Sequence, residues 1–232
     1  METTHTNHIL FLDIETAPLV YKYDELGEPF KKLWDSKYQY NKDVTPEQQY
    51  SKAGIFAEFA KVICICVGYF NGKEFRLRAF YGDDEKVLLK EFKDMLDRHF
   101  CEPEHRLCAH NGKEFDFPFL CRRFLINGIT LPDILNLQGK KPWEIPHLDT
   151  MEMWKFGDYK NYTSLNLLAA VFNIPTPKDD IDGSQVARVY YEEKNLERIK
   201  NYCQKDVVTV ARLYQKMHAE QPLKEEQLVL TN

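Results

Sequence analysis

Asp13 and Glu15 close an apolar run, Ile9-Leu10-Phe11-Leu12-Asp13-Ile14-Glu15-Thr16, that is preceded by Asn7 and His8 and followed by Pro18. Side chains alternate along a strand, so the two acids share a face with Phe11. Like charges beside apolar surface are costly unless a cation joins them, and hard divalent ions such as Mg²⁺ or Mn²⁺ are the usual solution. Water would serve equally if the strand had just emerged into a loop, and an Asp-x-Glu pair alone does not decide between the two. A site holding two metal ions needs further carboxylates. Asp116 stands in His110-Asn111-Gly112-Lys113-Glu114-Phe115-Asp116-Phe117-Pro118, at the entrance to an apolar helix, where an Asp also serves as a cap. Asp206 follows Tyr202 by one helical turn on the same face, able to hold an ion while the phenol orients a water. An exposed Asp beside a packed Tyr is the plain alternative.

Elements far apart in the chain must bring these residues together. Residues 9–16 suit a buried strand. Residues 61–70 are β-rich, Asn71-Gly72 is a hairpin signal, and 74–81 alternate as the returning strand. The spacing predicts a helix over 85–99, opened by Asp83 and Asp84, with Val87, Leu88, Phe92, Met95 and Leu96 on one face. A short strand over 107–109 and a helix over 117–127 follow. Beyond a loop with Pro132, Gly139, Pro142 and Pro146, residues 147–150 read as a last short strand. Ser164 caps a helix, Asp182-Gly183-Ser184 restart one, and 196–218 form the final long helix that carries Tyr202 and Asp206.

Residues 19–60 interrupt this rhythm with an insertion rich in aromatics, among them Tyr21, Tyr23, Phe30, Trp34, Tyr38, Tyr40, Tyr50, Phe56 and Phe59. Such rings either stack on unpaired bases or pack onto the neighbouring sheet. Packing is favoured, because ordinary cores also need aromatics; Lys and Arg are matched there by Asp and Glu, so no basic groove shows. Thr45-Pro46-Glu47 marks a helix start within the insertion. Residues 220–232 are polar and read as a loose tail. With no internal repeat and no linker, 1–232 reads as a single domain.

The composition of the 232 residues, 44% hydrophobic and 29% charged, is that of a globular protein and excludes extensive disorder. A net charge of -5 argues against a broad basic face held on nucleic acid, though not against an enzyme that grips a few phosphates through metal ions. The six cysteines contain no Cys-x-x-Cys pair, which gives a zinc site little support and suggests buried reduced thiols in a cytoplasmic protein. No signal segment or run approaching the roughly 20 apolar residues of a membrane span is present.

Asp13-Ile14-Glu15-Thr16, Phe115-Asp116-Phe117-Pro118-Phe119-Leu120 and Tyr202-Cys203-Gln204-Lys205-Asp206-Val207, in that order, resemble the three motifs of the 3′-to-5′ exonucleases of the four-carboxylate superfamily. The sequence is most similar to the proofreading domains of family-B DNA polymerases, over about residues 9–216. The sister branch carries a histidine five residues before the last aspartate. That position is Asn201 here, so the tyrosine branch fits.

The resemblance implies a ribonuclease-H-like α/β fold with a mixed five-stranded sheet flanked by helices. It implies two divalent ions, Mg²⁺ or Mn²⁺, bridged by Asp13 and completed by Glu15, Asp116 and Asp206, with Tyr202 orienting the water. It further implies substrate contacts from Asn111, Phe115 and Thr16, the last through its backbone; for Phe115 a place in the core is an equal expectation. Asp149 and Asp182 match no ligand position and read as structural. The expected reaction is release of nucleoside 5′-monophosphates from 3′ ends of single-stranded nucleic acid, DNA ahead of RNA, by an enzyme that stands alone or takes a polymerase or repair protein as partner. The alternatives are the same chemistry as an exoribonuclease, or a nucleic-acid-binding scaffold that has lost turnover. Against the scaffold stands the presence of all four acids and Tyr202, since a binding module has no need to crowd like charges.

Overall fold

The computed structural model describes residues 6–40, 43–158, 162–175 and 181–231; Asn232, the end of the expected tail, lies outside them. Strand β1 (Ile9–Pro18) is buried along nearly all its length. Helices α1 (Glu28–Tyr38) and α2 (Pro46–Gln49) follow, the second capped by the Thr45 hydroxyl, which accepts from the Gln48 amide. Strands β2 (Ala60–Asn71) and β3 (Glu74–Tyr81) form a hairpin. Its turn is Gly72-Lys73, one residue later than expected, and Gly72 takes a left-handed φ of 63° that suits a residue without a side chain. Helix α3 (Glu85–His99) starts at Asp84, whose carboxylate accepts from the Lys86 and Val87 amides. After β4 (Arg106–Ala109) come α4 (Asp116–Ile126), β5 (Leu148–Asp149) and α5 (Thr150–Lys155). Helices α6 (Leu165–Val171) and α7 (Val186–Arg188), the latter continued by a π-type turn over Val189–Glu193, precede the long α8 (Leu196–Met217) and the strand β6 (Leu228–Leu230).

The strands make one mixed sheet in the order β5-β4-β1-β2-β3-β6. Strand β1 is central, antiparallel to β2 and parallel to β4. Its alternating residues feed two cores. Leu10, Leu12 and Ile14 pack with Leu89 and Phe92 of α3 and Phe117, Leu120 and Phe124 of α4. Ile9 and Phe11 pack with Ile199, Cys203, Val207 and Ala211 of α8. Asp13 and Glu15 continue the Phe11 face, and so look toward α8. That helix lies close over β2 because position 68 is glycine: a Cβ there would fall 2.4 Å from the Phe75 ring and 3.0 Å from Val207 Cγ1.

On the other face, Glu85 and Arg123 form a buried ion pair with a shortest contact of 2.6 Å. The Val62 amide and Asn127 side chain also donate to Glu85, and Arg123 donates to the Ala57 carbonyl at 2.8 Å. This closed network ties α3 and α4 to the start of β2.

Three expectations need correction. The sheet has six strands rather than five, and the sixth comes from the segment read as a loose tail. Leu228-Val229-Leu230 pair in parallel with Phe75-Arg76-Leu77 on the edge of β3. The Arg212 guanidinium holds the approach to this strand by donating to Leu223 O and to Glu225 Oε1. In α3, Val87 is exposed and Leu89 is buried in its stead. In the insertion the rings pack chiefly on one another: Leu26, Trp34, Tyr50, Ala53 and Phe59 form a small core of their own, joined by Tyr23, Tyr38 and Phe56. Trp34 lies within it, donating its ring N–H to Pro46 O at 2.8 Å.

Candidate active site

Four carboxylates converge at the end of β1. Asp13 and Glu15 come from the strand itself, Asp206 from α8 above its Phe11 face, and Asp116 from the first turn of α4. The Asp116 carboxylate accepts from the Ile14 backbone amide at 3.2 Å, which fixes the helix entrance between the two strand acids. A bulge locks the strand here. Glu15 pairs with Cys64 while Thr16 pairs with Val62, so Ile63 is the extra residue.

The electrostatics of the cluster follow from its burial. Desolvation pushes the Asp13 carboxyl well above the usual carboxylate range, and the charges of Asp206 and Asp116 push it further. Glu15 is raised in the same way, by burial and then by Asp13 and Asp206. Burial takes Asp116 up to about 7, against the amide hydrogen bonds that favour its anion. Asp13 Oδ2 is buried without a hydrogen-bond partner, an arrangement that a cation would satisfy. Tyr202, half-buried, hydrogen-bonds Asp206, and burial with the surrounding acids holds its hydroxyl protonated far beyond ordinary conditions. Protonated, it serves Asp206 as a hydrogen-bond donor. Oxygen-rich, anionic and partly desolvated, the donor set fits hard divalent cations.

Around this cluster Asn111 adopts a left-handed φ of 63°, and its side-chain Oδ1 is buried with no partner. Phe115 packs on Phe119 at 5.4 Å between ring centres and joins the core on the α3 and α4 side. The Thr16 hydroxyl is committed to Gly54 O at 2.7 Å. Asp149 and Asp182 are both structural. Asp182 caps the turn at Ser184. Asp149 accepts from the amides of Asn111 and Lys113 at 2.9 and 3.0 Å, and also caps α5 through Met151 and Glu152. It braces the turn from which Asp116 is presented, a task its sequence position did not reveal.

A thiol cluster beside the acids is not among the expected features. Cys64 and Cys66 of β2 and Cys203 of α8 bring their sulfurs within 4.8 Å of one another, and Cys203 lies equally close to a carboxylate oxygen of both Asp13 and Glu15. The signal available was Cys64-Ile65-Cys66, which on a strand puts both thiols on one face.

A family described as "Predicted 3'-5' exonuclease related to the exonuclease domain of PolB" matches residues 55–229. The chain belongs to this family. Members of this PolB-related family are described as predicted 3′-to-5′ exonucleases. Among solved structures, the family B DNA polymerase from the hyperthermophilic archaeon Pyrobaculum calidifontis shares the fold with a TM-score of 0.53 at 15% identity, over 93% of this chain and 26% of that one. The chain thus spans about a quarter of that polymerase's length. A product-bound exonuclease I structure has a TM-score of 0.42 at 12% identity, over 91% of this chain and 48% of that one. No curated protein gives a significant match. The chain is α/β, with one mixed sheet flanked by helices of the ribonuclease-H-like class that its motifs imply. Among the described residues no helix is long and apolar enough to cross a membrane.

Proposed function

We propose that the protein removes nucleoside 5′-monophosphates from the 3′ ends of single-stranded DNA, with Asp13, Glu15, Asp116 and Asp206 holding two divalent ions, Mg²⁺ or Mn²⁺. The observation that carries this reading is the convergence of four carboxylates from three elements, with an unpartnered buried oxygen on Asp13 at its centre. Divalent ions bound there supply a water of lowered pKa and neutralise charge developing at phosphorus. The chain's own residues do the rest. Ile14 N–H holds Asp116 against the strand, and Asp206 accepts from the Tyr202 hydroxyl. That hydroxyl, kept protonated, orients the attacking water together with Glu15. Asn111 Oδ1 is free to accept from the terminal nucleotide, the Phe115 ring edges the strand end, and the Thr16 backbone meets the terminal sugar. The proposed unit is a single domain over 1–232 working in the cytoplasm, a setting consistent with six free cysteines. The unit acts alone or borrows the strand-delivery surface of a polymerase or repair protein.

The test is a gel assay on end-labelled single-stranded DNA and RNA of one sequence, each with Mg²⁺, Mn²⁺ or EDTA, beside Asp206→Ala. The expected result is a metal-dependent ladder shortening from the 3′ end by single nucleotides, faster on DNA and absent in the variant. A ladder only on RNA would replace the substrate with its ribose counterpart. No ladder on either, from folded protein, would leave a scaffold.

A further inference from the structure

The three thiols beside the carboxylates are arranged as a metal site of a different kind. Strand pairing sets Cys66 directly opposite Asp13 and Cys64 directly opposite Glu15, so two cysteines and two acids occupy one patch of the sheet. Helix α8 lowers Cys203 onto that patch, its thiol within reach of the Asp13 carbonyl at 3.3 Å. The Cys64 and Cys66 sulfurs are 3.6 Å apart. Two thiolates bound tetrahedrally at about 2.3 Å from one zinc ion sit about 3.8 Å from each other, so the pair needs almost no movement to share an ion. All three cysteines are fully buried. Asp13, beside the cluster, is half-buried rather than sealed from solvent.

We propose that Cys64, Cys66 and Cys203, with one carboxylate oxygen of Asp13 or Glu15, form a binding site for a soft divalent ion of the zinc class. Three metal–sulfur bonds form as three thiol protons pass to solvent, and no electron changes hands. Thiolates select zinc, cadmium or cobalt over the hard Mg²⁺ ion, which prefers oxygen and keeps its water. The fourth ligand is taken from the acids that the exonuclease reading needs, so a filled thiolate site silences the neighbouring one; this second step rests on that reading. Ligands two residues apart on a strand, completed by a cysteine on a distant helix, depart from the usual Cys-x-x-Cys spacing.

The experiment titrates the reduced full chain with Cd²⁺ alone, then in excess Mg²⁺, and reads the sulfur-to-metal charge-transfer absorption in the near ultraviolet. One equivalent per chain is expected, undisturbed by Mg²⁺. Cys64→Ser and Cys66→Ser each weaken binding at least tenfold, and Cys64→Ala/Cys66→Ala abolishes the band. Should the double variant fail to fold, the single serine variants are compared by thermal unfolding, where Zn²⁺ raises the Tm of the wild type and not theirs. In parallel, stoichiometric Zn²⁺ halts Mg²⁺-dependent digestion by the wild type, whereas Cys66→Ser digests DNA and needs at least tenfold more Zn²⁺ for the same loss. No band, a band that survives the double substitution, or full digestion with the site loaded would overturn the proposal. A normal band in a chain that digests nothing would support the thiolate site and sink the exonuclease reading alone.

Discussion

Asp116→Asn is expected to make the metal-free protein more stable at pH 8 and to leave it little changed at pH 4. Burial raises the Asp116 carboxyl from its ordinary 3.8 to about 7 in the folded chain. Below the lower value both states carry the proton, and the stability linked to it is fully present. Between the two values the unfolded chain releases the proton while the folded chain retains it, so stability falls as pH rises; above the folded value the loss is complete. At about 1.4 kcal/mol per pH unit, that interval removes at most about 4 kcal/mol. A domain of ordinary stability, about 5–15 kcal/mol, would register this as a large fraction of the whole. Asparagine keeps an oxygen to accept from the Ile14 amide and carries no charge to desolvate. The assay is urea unfolding from pH 4 to 8, in EDTA and again in Mg²⁺, for both proteins. In EDTA the wild-type stability should decline toward pH 8 more steeply than that of the variant, and Mg²⁺ should restore the wild type far more than the variant. Parallel pH profiles in EDTA, or a variant weaker than wild type at pH 8, would refute the view that four acids share one desolvated space.

Tyr202→Phe should slow digestion roughly tenfold, the loss of a hydrogen bond worth about 1–2 kcal/mol, in kcat rather than KM. Gly68→Ala, which drives a methyl into the Phe75 ring, should lower stability by about 1–3 kcal/mol, read as a shift of the urea midpoint at constant slope. Arg123→Ala leaves Glu85 buried without its partner and should cost about 3–5 kcal/mol by the same measurement, much of it recovered when Glu85→Gln is added.

What could be read from the sequence was whatever a local period encodes. Alternation placed Asp13 and Glu15 on the Phe11 face, the helical turn joined Tyr202 to Asp206, and Asp84 announced α3 by its capping chemistry. Features made by contact across the chain left weaker marks. Strand β6 is three residues long, and its partner is an edge that no periodicity in 220–232 describes. Val87 fits the apolar stripe of α3 as well as Leu89 does, and only the tilt of the packed helix decides which is buried. The aromatic insertion offered rings without saying that Trp34 would gather them. Asp149 looked idle because its partners, the Asn111 and Lys113 amides, lie across a turn and a helix from it.

That carboxylate also bears on how freely the chain can vary. The stretch from Lys113 to Asp149 leaves the site and returns to it, and the hydrogen bonds between its two ends close it like a clasp. Between them, residues 138–144 are all solvent-exposed. Lengthening the excursion at its tip would add only about 0.6 kcal/mol of closure entropy for each doubling. Insertions can therefore be taken up there while the four acids stay in place, so this excursion is free to change in length without disturbing the chemistry.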